Sequence, residues 1–138
     1  YYGLRCPSWK SDLETLYPGC KHVLKTLHSH YKIGILANQL PNLLARLRNF
    51  GIDSYIDLII SSADVGLAKP NLAIFKLALQ QANCLAEHAV MIGDRLYNDI
   101  LPAKQLGMQT IWIRQRFSRL THVTNPAEAP DWTVDNLT

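Results

Sequence analysis

Two aspartates and one lysine are the residues of this sequence whose types and positions indicate chemistry. In "VMIGDRLYNDILPAKQLGM", residues 90–108, an apolar run ends in Gly-Asp, and a second aspartate follows five residues later, giving Asp94 and Asp99. Lys69 follows a different apolar run, in "SSADVGLAKP". Mg²⁺ prefers a few carboxylate oxygens with water and phosphate oxygens, and lysine supplies a compact positive charge. Together these side chains have the composition expected of a Mg²⁺-assisted phosphate site.

Each of these residues also has a purely structural explanation. Asp99 alone is equally consistent with a helix cap, because acids near a helix N-terminus are stabilised by its dipole. Lys69 alone is consistent with an ordinary loop lysine. Asn38, which with Ala37 follows a third apolar run, is consistent with a turn residue. Asp94 is harder to explain in this way, because an acid directly after a buried strand needs a partner or solvent access.

Helical and strand patterns alternate from residue 18 onward. Strands that are apolar throughout indicate burial on both faces, and helical connections between them imply parallel pairing. The sequence therefore predicts an α/β fold, an open Rossmann-like parallel sheet with helices on both faces. Ligands bind such sheets beyond the C-terminal ends of the strands, where the residues named above lie. Helices are predicted in "PGCKHVLKTLHSHY", "LPNLLARLRNFG", "NLAIFKLALQQAN" and "NDILPAKQLG", and strands in "KIGILA", "DLIIS", "AVMIG", "QTIWIR" and, at an edge, "DWTV".

Composition limits the class of protein. A chain of 138 residues is one domain by size, and no apolar run approaches the roughly 18 residues of a membrane span. Three widely spaced cysteines argue against a disulfide framework or zinc site and favour a reducing, cytoplasmic setting. The net charge is +3, with a cluster at Arg114, Arg116 and Arg119. No aromatic platform accompanies this cluster, so a solvated loop is favoured over nucleic-acid binding.

The motifs resemble those of the haloacid dehalogenase (HAD) superfamily of hydrolases. The family's lysine motif looks like "GLAKPNLAIFKLAL" here, and its acidic motif, Gly-Asp-x-x-x-x-Asp, looks like "MIGDRLYNDILPAKQLGMQTIWI". The helix and strand that lead to the family's hydroxyl motif are similar to "LYPGCKHVLKTLHSHYKIGILANQ". The resemblance covers about residues 16–138.

The resemblance implies a role for each candidate residue. Asp94 would bind Mg²⁺, and Asp99 would lie near the metal, as a ligand or through water or the lysine. Lys69 would neutralise charge on a phosphorylated aspartate and its transition state. The backbone amides around Ala37 and Asn38 would hold phosphoryl oxygens. The implied reaction is the hydrolysis of a small-molecule phosphate ester through an aspartyl-phosphate.

Two departures from the family pattern qualify this expectation. Ala37 stands where the family has Ser or Thr, and the loss of one side-chain donor would slow the chemistry about tenfold or more. The eight aspartates include no Asp-x-Asp pair, so the nucleophile and acid/base partner that the resemblance implies are expected outside this chain. The strand that carries that motif is central in the family's sheet, and its absence would leave two strands with unpaired edges.

The expected organisation follows from these departures. Residues 1–17 are predicted to be the tail of a cap domain and its linker, and residues 18–138 an incomplete HAD-like core. The first, nucleophile strand and most of the cap, which the resemblance implies, are expected to be absent from this chain. A missing peptide segment or a second chain would complete the sheet, and no nucleic-acid or membrane partner is expected.

Three alternatives remain open. A catalytically inactive HAD-fold binding or assembly protein would explain both Ala37 and the missing motif. A metal-independent haloacid dehalogenase is the weaker enzymatic alternative, and metal dependence would separate it from a phosphatase. A dinucleotide-binding module is disfavoured, because no Gly-x-Gly-x-x-Gly follows any strand.

Overall fold

Five short parallel strands form two small sheets in the computed structural model, which describes residues 14–137 except the side chains of Arg116 and Phe117. The strand bounds are β1 Gly34–Ala37, β2 Leu58–Ser61, β3 Val90–Gly93, β4 Gln109–Ile113 and β5 Trp132–Val134. The strands β1 and β2 pair in register from Gly34 opposite Leu58. The strands β3, β4 and β5 pair in that order. All three pairings are parallel, and the helical connections predicted this for β1 with β2 and for β3 with β4.

Helices connect the strands and pack on both faces of the β1–β2 sheet. The predicted helices are present, although the segment after β3 begins as a π-helical turn over Leu96–Ile100 before it becomes α-helical. Pro102 lies in the first turn of that α-helix, where its missing N–H costs nothing. The helix bounds are α1 Cys20–His28, α2 Leu43–Phe50, α3 Ser62–Val65, α4 Leu72–Ala82 and α5 Leu101–Gln105.

The β1–β2 sheet lies between two apolar clusters, and its side chains belong alternately to one cluster and to the other. Leu36 and Ile60 face α4, where Ile74 and Phe75 are buried. The side chains of the opposite face, including Ile35, pack with α1 and α2. Met91 of β3 and Ala103 of α5 also pack against the α4 cluster, so α4 contacts both sheets. The prediction of helices on both faces is therefore confirmed for this sheet.

Neither β1 nor β3 has a second partner among the described strands. β1 pairs with β2 alone, and β3 pairs with β4 alone. On β3 the side chains of Val90 and Ile92 are 46% and 43% exposed, although both are aliphatic. One face of β3 is thus open, contrary to the expectation that this strand is buried on both faces. The reason is that no described helix covers Val90 and Ile92.

The ends of the chain limit what the structure says of the predicted domains. Most of the predicted cap tail, residues 1–13, lies outside the described residues. Tyr31, the last residue of the segment predicted to form the first helix, lies beyond the end of α1 and is largely exposed. Within residues 14–137 no helix is long and apolar enough to cross a membrane.

Candidate active site

Lys69 and Asp99 form an ion pair between the two sheets. The Lys69 ammonium donates to Oδ1 of Asp99 at 2.5 Å, and the two side chains are 12% and 5% exposed. Lys69 lies in the connection between α3 and α4, whereas Asp99 lies in the turn after β3. Two residues thirty positions apart are thus brought together, as the sequence predicted.

The π-helical turn after β3 places the Asp99 carboxylate against the end of that strand. Oδ2 of Asp99 accepts from the backbone N–H of Arg95 at 3.0 Å, so each carboxylate oxygen has a donor. A Cβ on Gly93 would lie 2.5 Å from Cβ of Asp99, which no real side chain tolerates. Gly93 is therefore required here by close approach. Asp99 bonds the backbone as a cap residue would and pairs with Lys69 as well.

Asp94 is bound to the described residues through its backbone carbonyl and not through its carboxylate. The indole N–H of Trp112, on the adjacent strand β4, donates to the backbone carbonyl of Asp94 at 3.0 Å. The Asp94 side chain makes no hydrogen bond or ion pair with the described residues and is exposed to the crevice. Sequence reasoning missed Trp112, although a buried indole N–H usually needs an acceptor and could have indicated this contact.

Asn38 binds the backbone of Lys69 through both ends of its amide. Nδ2 of Asn38 donates to the Lys69 carbonyl, and Oδ1 of Asn38 accepts from the Lys69 N–H, both at 2.8 Å. The side chain is thus occupied by protein. The expected phosphate contact of Ala37 and Asn38 concerned their backbone amides, and it stays a prediction.

Gln39, next along the chain, is fixed by the end of β2. Its N–H donates to Oγ of Ser62 at 3.1 Å, and its carbonyl accepts from Oγ of Ser61 at 3.2 Å. Its side-chain oxygen accepts from Arg46, which also pairs with Glu14 at 2.7 Å. These contacts hold the loop after β1 at the sheet edge.

All five candidate residues line one crevice of about 230 Å³ at the C-terminal ends of β1 and β3. Gln39, Arg95 and Asn98 also line it, and sequence reasoning did not select them. Arg95 makes no ion pair with the described residues, so it is the cation left after Lys69 is paired. The residues lining the crevice are Ala37, Asn38, Gln39, Lys69, Asp94, Arg95, Asn98 and Asp99.

The side chains of the crevice fit a magnesium ion that takes most of its ligands from water and phosphate oxygens. In the described part of the chain no three His, Cys, Asp or Glu side chains cluster as metal ligands. Asp94 offers a free carboxylate, whereas both oxygens of Asp99 already have donors. Mg²⁺ commonly binds through one or two carboxylates plus water and phosphate oxygens. The site therefore suits Mg²⁺ held directly by Asp94, with Asp99 beside it.

Comparison with known proteins identifies the family. The sequence profile of haloacid dehalogenase-like hydrolases matches residues 8–113. The chain belongs to the haloacid dehalogenase-like (HAD) hydrolases. It is 36% identical over 130 residues to the pyrimidine 5'-nucleotidase YjjG of Escherichia coli K12, covering 92% of this chain and 56% of that protein. It is 38% identical over 99 residues to a glyceraldehyde 3-phosphate phosphatase of Pyrococcus abyssi, covering 70% and 42%.

Solved structures of HAD proteins share the fold of this chain. A HAD phosphatase from Thermococcus onnurineus superposes with a TM-score of 0.78 at 28% identity, covering 88% of this HAD chain and 54% of that one. A 2-haloacid dehalogenase from Pseudomonas syringae pv. tomato DC3000 superposes with a TM-score of 0.75 at 28% identity, covering 89% and 50%. The HAD chain thus spans about half the length of the relatives named here.

Proposed function

We propose that the protein is a Mg²⁺-dependent phosphohydrolase that acts on a small-molecule phosphate ester. The observation that carries the proposal is the convergence of the Lys69–Asp99 pair and the free Asp94 carboxylate in one crevice. Relatives named as phosphatases of small phosphorylated molecules support it. The substrate and the setting, which we propose to be the cytoplasm, belong to the same proposal.

Each site residue has a part in binding or stabilising the phosphoryl group. Mg²⁺, when bound at Asp94, supplies positive charge to the phosphate oxygens. Lys69 supplies a second positive charge, which is effective because its side chain is shielded from water and already oriented by Asp99. The backbone N–H groups around Ala37 and Asn38 offer donors from the third side. Ala37 adds no hydroxyl, so catalysis is expected to be slower than with Ser or Thr at that position.

The nucleophile in this proposal is an aspartate that the sequence does not contain. None of the eight aspartates belongs to an Asp-x-Asp pair. Among the described strands, β1 and β3 each have a single partner, and the crevice lies at their C-terminal ends, an arrangement that suits a further parallel strand. We propose that a peptide segment or a second chain supplies this strand and the nucleophile. Residues 18–138 are then the larger part of the core, and residues 1–17 the end of the cap.

The test is release of p-nitrophenol from p-nitrophenyl phosphate by the whole protein, with Mg²⁺ and with EDTA. Turnover that needs Mg²⁺ and falls about a hundredfold or more in Lys69→Met supports the proposal. The control is Lys76→Met, because Lys76 is an exposed lysine of α4 that makes no ion pair with the described residues. Equal turnover in EDTA, or full activity in Lys69→Met, would refute it.

The structural likeness to a 2-haloacid dehalogenase favours a second candidate reaction. Chloride release from 2-chloropropionate in EDTA, without phosphate release from esters, would select that reaction. Ala37 in place of a hydroxyl residue favours a third role, that of a non-catalytic binding protein. Inorganic phosphate binding without turnover of either substrate by the whole protein would select this role.

A further inference from the structure

We infer that Asn38 is a positioning residue that sets the location of the Lys69 ammonium by holding the lysine backbone. The inference deepens the proposed function and rests on it for the chemical role of Lys69. The pairing itself is a matter of geometry: one amide both donates to and accepts from the backbone of one residue, at 2.8 Å each way.

An amide is the side-chain type that this contact requires. Lys69 presents one carbonyl and one N–H, and the Asn38 amide supplies one donor and one acceptor in a single plane. A carboxylate would place an acceptor against the Lys69 carbonyl, and an alanine would leave both bonds unmade. The Asn38 amide thus makes the same pair of hydrogen bonds to the Lys69 backbone that the backbone of a neighbouring strand would make, just beyond the end of β1.

The two hydrogen bonds of Asn38 position Lys69 and are not the cap of the helix that follows it. Helix α4 has its own cap, since Oδ1 of Asn71 accepts from the N–H of Ala73 at 2.9 Å. The two Asn38 bonds are exposed, so water can replace them at little cost in stability. Their specific effect is to fix Lys69 relative to the end of β1. Because Asp99 fixes the other end of the lysine, both ends of this side chain are set.

The experiment compares Asn38→Ala with Asn71→Ala in the whole protein, because both changes remove an asparagine that bonds the backbone of the same segment. The first readout is the coupling between Lys69 and Asp99, measured by urea unfolding of Lys69→Met, Asp99→Asn and the double variant in each background. The coupling is expressed as a ratio of unfolding equilibrium constants. We expect this ratio to be smaller in the Asn38→Ala background by about fivefold or more. Asn71→Ala should destabilise the protein and leave the coupling unchanged.

The second readout is the split between kcat and KM for p-nitrophenyl phosphate. Misplacing Lys69 removes charge stabilisation in the transition state, so kcat should fall about ten- to a hundredfold in Asn38→Ala while KM changes little. Equal coupling and equal kcat in the two variants would overturn the inference. If the wild type shows no phosphatase activity, the proposed function fails, and the coupling still decides the role of Asn38.

A second variant covers the case in which Asn38→Ala does not fold. Asn38→Asp keeps the size of the side chain and an acceptor for the Lys69 N–H, and it loses the donor to the Lys69 carbonyl. We expect its Lys69–Asp99 coupling to lie below that of the wild type. A coupling equal to the wild-type value would contradict the inference.

Discussion

At the scale of single residues, the geometry of the crevice depends on two small residues, Gly93 and Ala37. Gly93 has no Cβ, and this allows the Asp99 carboxylate to lie against the end of β3. Ala37 has no hydroxyl, and this leaves the phosphoryl group to backbone donors. Of these two features, the sequence indicated the second, because Ala37 departs from the hydroxyl motif. The Gly93–Asp99 contact could not be predicted, since it depends on the path of the π-helical turn.

Gly93→Ala should destabilise the protein by about 1–3 kcal/mol, as overpacking of a filled site does. The new Cβ would lie 2.5 Å from Cβ of Asp99, so the Asp99 side chain or the backbone of Gly93 must shift. Urea denaturation measures the loss. Gly34→Ala is the matched control, because a Cβ there meets Leu58 at an ordinary 3.7 Å. Equal stabilities of the two variants would contradict the assigned contact.

Asp94→Asn should weaken Mg²⁺ binding by about tenfold or more, because it replaces a charged ligand with a neutral one. Isothermal titration of the whole protein with MgCl₂ measures the change. Asp64→Asn serves as the control, since Asp64 is an exposed carboxylate of α3. An unchanged affinity in Asp94→Asn would remove Asp94 from the metal site.

At the scale of elements, strong periodic patterns were predictive, whereas short and irregular segments were not. The spacing of leucines and the stop at Gly51 predicted α2, and Gly51 is indeed at the end of that helix with a positive φ of 63°. The four-residue helix α3 has too few positions to show a period. The sequence predicts an α-helix from residue 98, whereas residues 98–100 belong to the π-helical turn over Leu96–Ile100, because the two helix types share nearly the same apolar spacing. Side-chain pairings between distant segments, such as that of Asn38 with Lys69, leave no periodic signal.

The edge strand β5 is attached through Asp131. Its Oδ2 accepts from both the N–H and the hydroxyl of Thr110 at 2.8 Å, and its Oδ1 pairs with Lys104 at 3.3 Å. The hydroxyl hydrogen bond from Thr110 lowers the pKa of Asp131, the Thr110 N–H and Lys104 act in the same direction, and burial opposes them. A lowered folded pKa means that ionised Asp131 stabilises the fold above its unfolded pKa, about 3.9, and that this stabilisation is lost as the pH falls.

Asp131→Ala should therefore lower the free energy of unfolding at pH 7 by about 1 kcal/mol, a value reduced for solvent exposure. The difference from wild type should shrink as the pH falls below about 4, because the protonated wild-type residue has then lost its advantage. Thermal unfolding between pH 3 and pH 7 measures both effects. Asp135→Ala, which removes an exposed carboxylate just beyond β5, should show neither; a constant Asp131→Ala difference across this range would contradict the linkage.

At the scale of the whole molecule, two sheets share one site without pairing to each other. Among the described strands, β1 and β3 each have one unpaired edge, and β3 also exposes Val90 and Ile92. Unpaired edges with apolar side chains favour association with other chains. The exposed part of β3 therefore combines an open strand edge with apolar side chains, which suits contact with another chain.

We expect the 138-residue chain, expressed alone, to self-associate as its concentration rises. Ile92→Lys should reduce this association, because it places a charge beside the open edge of β3. Leu85→Lys is the control, since Leu85 is more exposed than Ile92 and lies outside the strands. Sedimentation velocity over a hundredfold range of concentration measures the effect. A monomer at every concentration, or equal effects of the two variants, would contradict the expectation.

The ion pair between Lys69 and Asp99 also joins the two halves of the molecule mechanically. Lys69 belongs to the part of the chain that carries β1 and β2, and Asp99 belongs to the part that carries β3 and β4. A substitution at either residue therefore weakens the contact between the two sheets as well as removing a charge. Its effect on turnover is a sum of lost chemistry and lost alignment, and only a measurement of rigidity on the same variant separates the two.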